Sequence, residues 1–158
     1  MSTPNTLAVG QQIVVMIDAL RNPDTTRVYS LVQLEAIKDL TDLIATGGVC
    51  CEVYGDVDTS DRKRYGGVIH DEQGWAILSI CSLDTPVLAQ QIYNARDALV
   101  VPFQTHAQLA GTPNNVFLDE LDPNMQFTRI FRNGVWWRAH VAKITTKQQW
   151  QVTGGIQS

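Results

Sequence analysis

Apolar residues at Ala8, Ile13, Val14, Ile17 and Leu20 recur at helical spacing and predict a first helix over residues 7–21, with Thr6 as its N-cap. Asn22-Pro23-Asp24 ends it, because proline cannot continue the ladder and drives the residue before it away from the helical region. Residues 28–32 read either as a short strand or as a lead-in. Leu34, Ile37, Lys38, Leu40, Thr41 and Ile44 predict a second, amphipathic helix stopped by Gly47-Gly48. The pattern then shortens. Residues 49–54, rich in Val, Tyr and Cys between glycines, predict a strand. Residues 55–67 (GDVDTSDRKRYGG) are polar and glycine-flanked, and read as a loop.

A near-continuous apolar run over 75–83 predicts a central strand, with residues 68–70 pairing to its start across a turn at 71–74. Asp84-Thr85-Pro86 is a helix opening, a capping side chain followed by proline at the first helical position. Val87, Leu88, Ile92, Ala95 and Leu99 line one face of that helix as far as Pro102. Residues 104–123 read as loop with a short turn of helix. The clearest element is a hairpin over 127–144, where Asn133-Gly134 supplies the two positive-φ positions of a type I′ turn. Residues 150–152 add a short last strand. The expected fold is one α+β domain over 1–158, frayed at 1–6 and 153–158. Its mostly antiparallel sheet of four to five strands packs against two to three helices.

The length of 158 residues suits one domain that buries about two-thirds of its surface without a disulfide or metal staple. Hydrophobic content of 44% and charged content of 18% describe a globular chain. Twelve basic against 16 acidic residues leave a net charge of −4, which argues against a generic binder of nucleic acid or anionic membrane. Met1–Gly10 holds no Lys or Arg, so a secretory signal is not expected, and residues 13–20 are too short to span a bilayer. Cys50, Cys51 and Cys81 have no CxxC spacing and read as buried residues of a reducing compartment.

Chemistry is sparse. His70, His106 and His140 fall in separate elements with no ligand spacing. Asp56-Val57-Asp58-Thr59-Ser60 imitates the start of a calcium loop, but Asp61 replaces the required glycine and Gly67 cannot supply the closing carboxylate. The pairs Asp71-Glu72 and Asp119-Glu120 read as solvated loop. No catalytic or nucleotide-binding motif is present, so no reaction, metal or cofactor is expected. Arg62, Lys63 and Arg64 form the densest positive cluster, a candidate contact loop that orders on meeting an acidic partner.

The hairpin says more. A two-residue turn at Asn133-Gly134 pairs Arg132 with Val135, Phe131 with Trp136, Ile130 with Trp137, Arg129 with Arg138, Thr128 with Ala139, and Phe127 with His140. One face then holds Ile130, Trp137, Thr128, Ala139 and Val141; the other holds Phe127, Arg129, Phe131, Trp136 and Arg138. Neither face is plainly made for solvent, and opposed arginines repel unless an acid sits between them. The second set is the candidate subunit interface, where Trp, Phe and Arg are favoured.

The order of elements resembles the tail terminator proteins of long-tailed bacteriophages. The likeness runs from about residue 7 to 152. It is carried by Val53-Tyr54-Gly55, Trp75-Ala76-Ile77-Leu78-Ser79-Ile80, the helix over 85–99, and the closing Gln149-Trp150-Gln151-Val152. The 103–124 segment and the second N-terminal helix stand outside that pattern. The resemblance implies a structural virion protein, made in the host cytoplasm, that forms a hexameric ring and carries no catalytic residues. The ring would cap the tail tube and join it to the head-proximal connector, meeting the sheath where the tail is contractile. DNA would pass through without specific binding, which the acidic balance suits. The competing expectation is a small soluble ligand- or protein-binding domain, or another head–tail connector or neck protein.

Overall fold

The computed structural model describes residues 6–38, 40, 48–82, 86–105, 116–118 and 126–151. Its elements, in chain order, are α1 (Thr6–Asp18), β1 (Leu31–Leu34), β2 (Cys50–Tyr65), β3 (Val68–Cys81), α2 (Pro86–Thr105), β4 (Val116–Leu118), β5 (Gln126–Arg132) and β6 (Val135–Gln151). The strands form one six-stranded sheet in the order β1-β2-β3-β6-β4, with β5 also on β6. Among the described strands β1 and β2 run parallel, and the other pairings are antiparallel. The mixed helix-and-sheet architecture agrees with the α+β expectation, but the sheet has six strands rather than four to five, and two helices are present among the described residues.

Register explains the core. Cys51 faces Ser79 and Val53 faces Ile77; on the other side of β3, Trp75 faces Ile144 and Ile77 faces Ala142. Because side chains alternate along strands, these residues share one face of the sheet. Val9, Ile13 and Ile17 of α1 and Ile92, Ala95 and Leu99 of α2 bury against it. Two hydrogen bonds pair polar atoms inside this layer: the Trp75 indole N–H donates to Thr146 Oγ1 at 2.9 Å, and Tyr29 and Ser79 share one of 2.8 Å. On the opposite face, among the described residues, Ile37 and Leu40 pack on Cys50, Ile80, Trp137 and Ala139.

Several expectations change. The polar 55–67 stretch is not a loop: β2 continues through it to Tyr65, interrupted by an irregularity between Asp56 and Asp61. An outlying ribbon needs cross-strand partners rather than an apolar face, and the charges supply them. Arg62 pairs with Asp71 at 3.1 Å, Lys143 with Asp56 at 3.4 Å and Lys147 with Glu72 at 3.8 Å. The turn falls at Gly66-Gly67, where Gly66 has a φ of 60°, and not at 71–74. Residues 68–70 are therefore the start of β3, and Asp71-Glu72 lie within a strand on opposite faces.

Leu34 ends β1, and Glu35 (φ 65°) turns the chain, so residues 35–38 are not part of the predicted helix; Leu40 is helical as expected, and 39 and 41–47 lie outside the described residues. The first helix stops at Asp18, three residues early. The helix opened by Pro86 runs through Pro102 to Thr105, held by the burial of Ile92, Ala95 and Leu99 upstream. Within the expected 104–123 loop, Val116–Leu118 is a strand. The short strand over 150–152 is the end of β6 as far as Gln151. Thr6, expected to cap the first helix at the end of a frayed terminus, is the first residue of α1. The Asp84-Thr85 cap, Asp119-Glu120, His106, residues 1–5 and residues 153–158 lie outside the described residues.

Candidate subunit interface

The β5–β6 hairpin follows the expected register pair for pair, from Arg132 with Val135 to Phe127 with His140. Asn133 (φ 57°) and Gly134 (φ 74°) make the turn, since only residues tolerant of positive φ match the strand twist there. In such a hairpin the pair beside the turn is hydrogen-bonded and pairs alternate, so Phe131–Trp136, Arg129–Arg138 and Phe127–His140 are the closely approaching pairs.

The two faces have different fates. Ile130, Trp137 and Ala139 turn to the far side of the sheet, where the chain's own Ile37 and Leu40 pack on them. A buried carboxylate fixes this cover. Glu52 accepts from the Ile37 backbone N–H at 2.5 Å, from the Tyr54 hydroxyl and from the Arg132 guanidinium. Asn133 Nδ2 donates to the Lys38 carbonyl at 3.1 Å and Trp137 Nε1 to the Arg132 carbonyl at 2.9 Å. The hairpin end is thus clamped to the 37–40 segment, and burial beside Glu52 pushes the Tyr54 hydroxyl up to about 12.

The other face is left open. Phe131 is 61% exposed, Trp136 55% and Phe127 45%, and Tyr93 of α2, at 46%, joins them. The Phe131 and Trp136 rings lie 5.3 Å apart and the Tyr93 and Phe127 rings 5.1 Å. Arg129 stands opposite Arg138 among these rings. Arg138 reaches the Tyr93 hydroxyl at 3.4 Å, yet its buried Nε has no partner, and no carboxylate among the described residues pairs with either arginine. All five sequence-predicted interface residues therefore meet on one surface. Tyr93 was missed; its only signal is an aromatic side chain placed off the apolar stripe of Ile92, Ala95 and Leu99.

Beneath the patch, His140 is fully buried with both ring nitrogens unpartnered, its ring 5.4 Å from that of Phe127. Burial, reinforced by the positive charge of Arg96, pushes it down to about 4. Cys50, Cys51 and Cys81 are buried free thiols, and burial raises Cys50 and Cys81 to about 11, out of range for a nucleophile.

Arg62, Lys63 and Arg64 are exposed on the outlying end of β2, not on a flexible loop. Arg62 is already engaged, by Asp71 and by the Trp150 ring 5.5 Å away, so this cluster is presented by an ordered ribbon. The structure does not bring it to the hairpin patch. Among the described residues no three His, Cys, Asp or Glu gather as a metal site, and no helix is long and apolar enough to cross a membrane. No protein-family model and no curated protein matches the chain.

Proposed function

We propose that this chain is a structural subunit that assembles head-to-tail into a ring through the open face of its β5–β6 hairpin. One observation carries the reading: Phe127, Phe131 and Trp136 stand exposed around an arginine pair that has no counter-charge among the described residues. Solvent exposure of this surface wastes its apolar area, and the close approach of Arg129 and Arg138 costs energy until an anionic group comes between them. A protein interface offers both remedies, apolar cover and a carboxylate.

The resemblance to phage tail terminators gives the ring its purpose, which is to cap a tail tube and join it to a head-proximal connector. The β2–β3 ribbon carries Arg62, Lys63 and Arg64 away from the helical layer, a position suited to an acidic surface on the tube or connector. The work is done by shape and interface energy, with no reaction. Adding the purified chain to growing tail tubes tests this. Tubes that stop lengthening and carry a ring at one end in electron micrographs support it; tubes that grow unaffected overturn it.

A further inference from the structure

A closed head-to-tail ring needs two different surfaces on each subunit, one fitting the other. Resting on the ring reading, we infer that the second surface is the groove between α2 and the 21–24 turn, and that it receives the Phe131–Trp136 edge of the next copy of this chain. The open groove has a volume of about 730 Å³; Pro23, Ala98 and Val101 give it an apolar part, with Val101 60% exposed, beside polar residues such as Asn94 and Asp97. That volume lies within the range of pockets that hold small organic molecules, and it has room for two aromatic side chains.

Helical geometry separates the two surfaces. Tyr93 and Arg96 lie on the flank of α2 that meets the hairpin, whereas Asn94 and Ala98 lie on the flank that meets the 21–24 turn. One subunit's hairpin therefore cannot fill its own groove, and a neighbour's can.

Charge selects the same pairing. Asp24 and Asp97 line the groove; Asp97, three-quarters exposed, also meets Arg96 at 3.3 Å, and Asp24 accepts from Thr26, so both would share their carboxylates with an incoming arginine. Its single arginine, Arg21, already donates to the carbonyls of Asp18 and Leu20 at 3.0 Å each. The hairpin brings Arg129 and Arg138. The symmetric alternative, hairpin face against hairpin face, would gather four arginines in one contact, which like-charge repulsion disfavours. The exposed aromatics of the whole patch, Tyr93 and Phe127 included, supply part of the area such a contact needs. An aromatic side chain offers 150–250 Å², so four about half-exposed ones bring roughly 400 Å². That is about half of the roughly 800 Å² per partner of a standard interface.

The test uses two exposed charges, Arg129→Glu and Asp97→Arg, followed by sedimentation velocity. Each variant alone should need about tenfold more protein or greater to assemble than wild type. Mixed, the two should regain assembly, because every contact between unlike variants then joins either two native charges or two reversed ones, while contacts between like variants stay repulsive. Recovered assembly also shows that both variants are folded. If Asp97→Arg assembles like wild type while Arg129→Glu fails, the groove is overturned and the hairpin-mediated ring stands. A mixture that stays as dispersed as the separate variants overturns the groove too. A wild-type chain that stays monomeric at millimolar concentration overturns the ring itself.

Discussion

His140 makes the stability of this protein depend on pH in a way its neighbours do not. Replacing it with leucine keeps an apolar side chain of similar volume under α2 and removes two buried nitrogens that have no partner. The folded imidazole titrates near 4 against 6.5 for the free group. Between those values the unfolded chain binds a proton that the folded chain refuses. Stability from this group is thus complete above about pH 6.5 and is lost as pH falls toward 4. At about 1.4 kcal/mol per unit, the loss on going from about pH 7.5 to about pH 5 is about 2 kcal/mol. Urea denaturation of wild type and His140→Leu at the two pH values isolates it, because the carboxylates titrate alike in both proteins. The variant should lose about 2 kcal/mol less than wild type over that interval. It should also gain about 1 kcal/mol at the higher pH, from removing unpaired polar atoms. Parallel losses in the two proteins would refute the reasoning.

Three further outcomes follow from the packing. Glu52→Ala strands the Arg132 guanidinium, the Tyr54 hydroxyl and the Ile37 N–H, and should cost about 3 kcal/mol in chemical denaturation, whereas Tyr54→Phe should cost about 1 kcal/mol. Gly10→Ala gains about 1 kcal/mol of helix propensity. Its new Cβ, however, would sit 2.9 Å from the buried Trp75 ring, so a net loss of about 1 kcal/mol is expected in thermal melts. Reversing Arg62, Lys63 and Arg64 together should leave the melting temperature within a few degrees, since exposed pairs contribute about 0–1 kcal/mol each. It should also abolish co-sedimentation with tail tubes; unchanged co-sedimentation would remove the ribbon from the contact.

The hairpin was readable in advance because its information is local. Asn133-Gly134 dictates the turn, the turn dictates the register, and the register assigns every side chain to a face. What sequence could not decide was which face the rest of the chain would cover. That depended on Ile37 and Leu40 crossing the far side of the sheet and on Glu52, eighty residues from Arg132, clamping them. Such a contact leaves no local pattern. The 55–67 stretch misled for the opposite reason. Its glycines and charges are loop-like by composition, yet strand pairing beyond the core satisfies the backbone while charge pairs replace apolar ones, and Gly66-Gly67 was the true turn signal. The open aromatic patch was legible for its hairpin members and not for Tyr93, which enters from α2.

The most direct test of assembly through the hairpin face is the native mass of the wild-type protein beside that of Trp136→Ala. The account predicts a closed ring of one defined order for wild type, and folded monomers for the variant at the same concentration. Rings of equal mass and stability from both proteins would contradict it.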